Sequence, residues 1–298
     1  MKFSNASISV KLRAHRYAIA ALLLVATAAA ITIPANRAVA SESELTLGVF
    51  PRRNFTDTLA MYAPLAEYLS AQLKRPVRLE SAKNFDDFWQ GVTERRYDIV
   101  HYNQYHYVKS HKRFGYEVIA KNEEFGSGTI AGVLLARSDR NVRTLTDLRG
   151  KTIVFGGGRD AMQSYIAPTY LLRQAGLKAG DYTERFARNP PNAILAMYND
   201  EALAAGAADN CLRESPVASG KVMFLAASEP MAQLPWAVKA EMPLPLRKSI
   251  QAAMTGLKRH PGGYEVLERA RLTALLPASD VEYDPARRLI REILAEDY

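Results

Sequence analysis

A single cysteine, Cys211, stands in 298 residues, so no intrachain disulfide is available and stability in an oxidising compartment rests on the core. Zinc-ligand spacings of Cys and His are absent, as are aromatic RNA-binding motifs. No Gly-Lys-Ser or Gly-Lys-Thr follows the one glycine triplet, Gly156 to Gly158, GxxxxGK[ST] is nowhere completed, and the triplet does not fit GxGxxG; P-loop and dinucleotide chemistry lose their support. Long uncharged runs are lacking beyond Tyr17 to Ile33. That run follows Lys2, Lys11, Arg13 and Arg16 and precedes the small residues Ala38-Val39-Ala40, the pattern of a signal peptide cleaved before Ser41. A retained anchor is the alternative, although the run is short of the ~20 apolar residues of a spanning helix. Residues 1–40 carry five Lys or Arg and no acid, so of the formal charge of +8 only +3 stays with the 258-residue remainder. A balance that small gives no support for nucleic acid as a partner.

What is present is organised around Lys151 to Gln174, KTIVFGGGRDAMQSYIAPTYLLRQ, an apolar strand ending in Gly156-Gly157-Gly158 before helical spacing resumes. Glycine allows positive φ and close backbone approach, and the first turn of a helix has N–H groups without intrahelical partners, so such a turn suits an anion. A tight strand-to-helix turn with no ligand is the bland alternative.

Upstream, Leu45 to Phe50 reads as a buried strand, followed by a helix from Asp57 to Leu73 with Pro64 as a kink or late start. Val77 to Ser81 is a second strand, Asn84 caps a helix bearing Phe85, Phe88, Trp89 and Val92 on one face, and Tyr97 to Tyr102 is a third strand. Val118 to Ala120 continues the strand pattern, and Thr129 to Ala136 reads as one long crossing strand. After Arg137 the pattern restarts: Thr144 caps a short helix, the central strand and turn follow, Tyr182 to Ala187 is a strand, and Asn192 caps the next helix. Ala204 to Asn210 and Val222 to Ala226 are strands, and helices are expected over Leu244 to Leu257, Gly263 to Leu272 and Pro285 to Ala295. Alternating strands and helices imply parallel sheets with helices on both faces. Two such units, the second inserted into the first, make two lobes with a cleft, where the loops after Phe50, Tyr102, Phe155, Ala187 and Ala208 converge.

The order of segments resembles that of the periplasmic solute-binding proteins of phosphate, phosphite and phosphonate ABC transporters. The resemblance spans nearly all of residues 44–270 and is carried by LGVFP (47–51), APLAEYLSAQLKRPVRL (63–79), YDIVHYN (97–103), TLTDLRGK (144–151), VFGGGRDAMQSYIAPTYLL (154–172) and SEPMAQLPWAVKAEMP (228–243). It implies an α/β, two-lobed type II periplasmic binding protein with a central cleft and two crossing strands as hinge, near Leu134 to Arg137 and Phe224 to Ala227. The boundaries would be a signal peptide at 1–40, a first lobe at 41–136 and 226–298, and a second lobe at 137–225. Three lining loops depart from the phosphonate-binding pattern. Ala161-Met162-Gln163-Ser164 stands where a Ser-Thr-Ser triplet is usual, Asn189-Pro190-Pro191 where Ser-His-Asp is frequent, and Gln233-Leu234 where an acid commonly follows. Buried oxyanion charge needs several donors, so these changes argue against a plain phosphonate site.

The ligand-binding set expected on the cleft loops is Arg52, Arg53, Asn54, Tyr102, Asn103, Tyr105, Gly157, Gly158, Arg159, Gln163, Ser164 and Asn210. A guanidinium grips an oxyanion in bidentate fashion, but charged loop residues are mostly solvated, and tyrosines after a strand often fill a core. His101, His106 and His111 recur every five residues, a step that turns them apart on a helix, so no metal is expected. Glu123 and Glu124 face opposite ways on a strand, and no nucleophile, base and oxyanion set is assembled, so no catalysis and no cofactor are expected. Cys211 is either a small buried hydrophobe or a thiol for a soft metalloid. The expected function is periplasmic binding of a small oxyanionic ligand, as a monomer, for delivery to an ABC transporter permease. The alternative is a sensing module that signals to a membrane kinase or cyclase.

Overall fold

Leu45–Val49 (β1) is buried along its whole length, and Val77–Ser81 (β2) and Ile99–His101 (β3) flank it in parallel. The computed structural model describes residues 43–51, 53–211 and 220–298; the expected signal peptide and Arg52 lie outside them. Phe55–Leu73 (α1) returns from β1 to β2, burying Tyr62, Leu65, Ala66 and Leu69 as a stripe at helical spacing. Pro64 lies inside α1 without ending it. Phe85–Thr93 (α2) follows β2, and Gln104–Phe114 (α3) follows β3.

The chain continues through Tyr116–Glu123 (β4), Thr129–Ile130 (β5), Gly132–Arg137 (β6) and Thr152–Gly156 (β7). Met162–Ile166 is a π-helical turn that leads into Ala167–Gln174 (α4). Thr183–Ala187 (β8), Pro190–Tyr198 (α5), Ala204–Ala208 (β9) and Val222–Ala227 (β10) complete the second unit. The return comprises Met231–Ala232 (β11), Pro235–Lys239 (β12), the helices Leu244–Gly256 (α6) and Gly263–Arg269 (α7), Ala274–Pro277 (β13) and Asp284–Leu294 (α8). Among the described residues no helix is long and apolar enough to cross a membrane.

These strands form a six-stranded sheet, order β13-β4-β12-β3-β1-β2, a five-stranded sheet, order β10-β6-β9-β7-β8, and a two-stranded ribbon of β5 and β11. Each sheet is the base of one lobe. Both sheets are mixed rather than parallel. The strand that leaves the first sheet (β4) pairs with the one that comes back to it (β12), and the arriving and departing strands of the second sheet (β6, β10) pair likewise, so each pair is antiparallel. Thr129 to Ala136 is therefore not one strand: Thr129–Ile130 pairs with β11, and the next segment begins at Gly132 in the second sheet. The passage between sheets falls at this ribbon, while the expected crossing stretches, Leu134 to Arg137 and Phe224 to Ala227, lie within the second sheet.

Four helices open on an asparagine. Asn54, Asn84, Asn103 and Asn189 each accept a hydrogen bond from a backbone N–H three residues on. Each such cap contributes about 1 kcal/mol. Asn189, not Asn192, caps α5, because Pro190 and Pro191 fit the first turn, where an N–H has no intrahelical partner to lose. The last helix, α8, packs against α3 of one lobe and against α4 and the π turn of the other. One apolar cluster accordingly runs through both lobes, from Tyr102 and Tyr107 to Phe155, Tyr165, Tyr283 and Ile290.

Candidate functional site

A cavity of about 440 Å³ opens where the carboxyl ends of the strands of both sheets meet. All five loops expected to converge contribute to it. Phe50, Pro51, Arg53 and Asn54 stand at the end of β1, Asn103 and Gln104 follow β3, Gly156 to Gly158 and Asp160 to Ser164 stand at the end of β7, Arg188 to Asn192 follow β8, and Ala208, Asn210 and Cys211 stand at the end of β9. Phe85, Ile130 and Leu234 close it on the apolar side.

The glycine turn is shaped by two demands. Gly157 has φ +117, and a Cβ on Gly156 would stand 2.3 Å from Cα of Pro190, so a side chain fits at neither position. Gly157 N–H donates to the Ala187 carbonyl at 2.8 Å, and the Ser164 hydroxyl donates to the Gly156 carbonyl. The turn thus holds β7 to the end of β8 and to the π turn, and the Ser164 hydroxyl hydrogen is engaged inside it.

Of the residues expected from sequence, Arg53, Asn54, Asn103, Gly157, Gly158, Gln163, Ser164 and Asn210 line the cavity. Three others sit elsewhere. Arg159 turns to the outside of the glycine turn, 64% exposed, where it pairs with Glu184 and donates to the Tyr165 hydroxyl at 2.6 Å. Tyr102 turns into the core against Ser110 at 2.7 Å, since alternation along an extended chain puts its neighbour Asn103 toward the cleft. Tyr105 donates its hydroxyl to Glu296 at 2.9 Å. Arg52 lies outside the described residues.

Several lining amides are already engaged. Asn54 caps α1 and donates to Asp57 at 2.7 Å. Asn210 donates to Glu124 at 2.6 Å, pinning the end of β9 to the end of β4. Asn103 Oδ1 accepts from the His106 backbone N–H at 2.9 Å, while its Nδ2 donates to the Asp160 carbonyl at 3.1 Å. Sequence reasoning did not single out Gln104, Asp160 or Arg188. Their positions on loops already expected to converge were the available signal.

Asp160 meets His106 Nε2 at 3.1 Å, joining the glycine turn of one lobe to α3 of the other. His106 Nδ1 is 3.0 Å from Asn103 Oδ1, whose identity is fixed by the two bonds just described. Both ring nitrogens face oxygen acceptors, and both bonds form only when each nitrogen carries hydrogen. Phe85, Trp89 and Tyr105 surround the ring at 6.2, 5.0 and 5.3 Å. Burial pushes the Asp160 carboxyl up, but the bond to His106, its charge and that of Lys109 outweigh burial and hold it below the usual carboxylate range. His101, the first of the three spaced histidines, stacks on Trp236 at 4.1 Å on the sheet, and no cluster of three or more metal-ligating side chains occurs among the described residues.

Comparison with known proteins agrees with this architecture. Residues 47–283 match the family model of the periplasmic substrate-binding protein of phosphonate ABC transporters. The fold is similar to a binding protein component of an ABC phosphonate transporter from Pseudomonas aeruginosa, with TM-score 0.72 and 14% identity over 84% of this chain and 86% of that one. It is also similar to PhnD1 of Prochlorococcus marinus in complex with methylphosphonate, with TM-score 0.74 and 15% identity over 85% of this chain and 99% of that one. A curated relative, the tetrathionate sensor histidine kinase of Salmonella typhimurium, is 27% identical over 177 residues, which are 57% of this chain and 29% of the kinase. The chain thus spans under a third of that relative's length. With the two lobes, the cleft and the family match in agreement, the chain belongs to the periplasmic substrate-binding proteins of phosphonate ABC transporters, a family of binding proteins rather than enzymes.

Proposed function

We propose that this chain is exported to the periplasm, binds a small oxyanion in the cavity between its lobes, and presents the ligand-bound form to an ABC transporter permease. The observation that carries this reading is the lining itself. Arg53 from the first lobe and Arg188 from the second stand on the same cavity as the glycine turn, so an anion between them favours the closed arrangement over the open one. A ligand shifts that equilibrium only by its differential affinity, and groups from both lobes supply it.

A second reading, hand-over of the ligand-bound form to a membrane sensor kinase, is favoured by one observation, the partial likeness to the tetrathionate sensor. Both readings share the binding step. Thermal-shift screening of residues 43–298 against phosphate, phosphite, methylphosphonate, sulfate and tetrathionate tests it. A ligand at 100 times its dissociation constant stabilises by about 2.7 kcal/mol, and the absence of any such shift contradicts both readings.

A further inference from the structure

A chain of three hydrogen bonds leads from the core of the first lobe to the cavity wall of the second. Trp236 on β12 is fully buried and stacked on His101, and its indole Nε1 donates to Asn122 Oδ1 at 2.8 Å. Asn122 Nδ2 donates to Glu124 Oε1 at 3.0 Å, and Asn210 Nδ2 donates to Glu124 Oε2 at 2.6 Å. An indole N–H only donates, which fixes the orientation of the Asn122 amide; an ionised carboxylate only accepts, which fixes that of Asn210. Asn122 is fully buried and Glu124 is 4% exposed, whereas Asn210 is half-buried and lines the cavity.

The carboxylate sits where the two lobes meet. Glu124 follows β4 of the first sheet, just before the ribbon at which the chain passes between sheets, and Asn210 follows β9 of the second. Glu124 is not on the cavity wall, and a carboxylate has only acceptors to offer an anion. Direct contact with an anionic ligand is therefore not its use.

Resting on the oxyanion reading above, we infer that Glu124 is a positioning residue of the binding step, acting through Asn210. Its bond takes one N–H of the Asn210 amide and leaves the second for an oxyanion oxygen. Because the two residues belong to opposite lobes, the same bond couples occupancy of the cavity to the placement of one lobe against the other.

The test is titration calorimetry of the parent and its variants with methylphosphonate and with sulfate. Glu124→Gln sets an amide N–H against the N–H groups of Asn122 or Asn210 and is expected to weaken binding about 10-fold, the scale of one hydrogen bond to a charged group. Asn122→Asp added to Glu124→Gln reverses the polarity of the middle link. The new carboxylate accepts from Trp236 and from the new amide, whose oxygen accepts from Asn210, so this double variant is expected within about 2-fold of the parent. Asn210→Ala is expected to weaken binding about 10-fold, and Glu124→Gln added to it to cost less than about 2-fold more. A purely structural role for Glu124 would instead weaken both backgrounds alike. Asn210→Ala also keeps the test decisive if Glu124→Gln does not fold. Parent affinity in Glu124→Gln or in Asn210→Ala, equal losses from Glu124→Gln in the two backgrounds, or no recovery in the polarity-reversed double variant overturns the inference and leaves the oxyanion reading standing. If neither anion binds the parent, the oxyanion reading falls and the inference with it.

Discussion

His106 Nε2 lies 3.1 Å from Asp160 Oδ2, and this contact joins the first turn of α3 to the glycine turn across the cleft. The same Asp160 offers its main-chain carbonyl to Asn103 at 3.1 Å. Side chain and backbone of one residue are thus held by two residues of the other lobe, at the rim of the cavity. Under the proposed closure on a ligand, the pair acts as a latch.

Replacing His106 by Gln, or Asp160 by Asn, is expected to weaken closure and lower ligand affinity about 5-fold. The carboxylate is partly exposed, and a pair of that kind is worth about 1 kcal/mol. Calorimetry with the ligand found in the thermal-shift screen reads this directly. An unchanged affinity in both variants removes the latch from the account.

The latch also fixes a sign for acid stability. Asp160 in the folded protein is held below the usual carboxylate range, so the unfolded chain takes up the proton first as pH falls. Its contribution is fully present above about pH 4 and is lost as pH falls through the folded value. The stability difference between the parent and Asp160→Asn, from denaturant unfolding, is expected to be constant from neutrality down to about pH 5 and to shrink below about pH 4. A difference that grows in acid contradicts the assignment.

At the start of α5, Asn189→Ala removes a cap and is expected to cost about 1 kcal/mol, roughly 2–4 °C in melting temperature for a protein of this size. Asn192→Ala, at the position the sequence alone suggests as the cap, leaves a backbone N–H that still donates to Asn189 and is expected to change stability by less than about 0.5 kcal/mol. Equal losses from the two substitutions argue against the observed register of the helix.

Gly156→Ala places a methyl group 2.3 Å from Cα of Pro190, where backbone rather than a flexible side chain must move. A destabilisation of about 1–3 kcal/mol is expected, measured by denaturant unfolding. A neutral result means that the turn and the start of α5 are not packed as described.

The two-lobed architecture and the loops that meet in the cleft were legible because strand ends, asparagine caps and the glycine triplet are local signals. Asn84 and Gly157 do in the structure what their sequence context suggests. The direction of the strands was not legible. Whether β4 and β12 run parallel or antiparallel depends on the chain leaving and re-entering a lobe more than a hundred residues later. Short β13 was missed for a related reason: Pro277 is tolerated there because the strand lies at the sheet edge. Within the site, residue type misled where a tertiary partner competes for the side chain. Arg159 looks like an anion ligand beside three glycines, yet Glu184 on β8 and Tyr165 in the π turn draw it away. Gln104 carried no signal at all, because its place on the cavity wall and its bond to the Ala232 carbonyl depend on packing between segments far apart in sequence.

The most direct test of the central claim, an oxyanion held between the lobes, compares Arg188→Ala, Arg53→Ala and Arg159→Ala by calorimetry with the same ligand. Arg53 and Arg188 line the cavity and Arg159 does not. The account predicts that each of the first two substitutions weakens binding at least ~10-fold, the scale of one charge-assisted hydrogen bond, while Arg159→Ala stays within about 2-fold of the parent. Loss of binding in Arg159→Ala alone, with the other two unchanged, would place the anion on the outer face of the glycine turn and contradict the account.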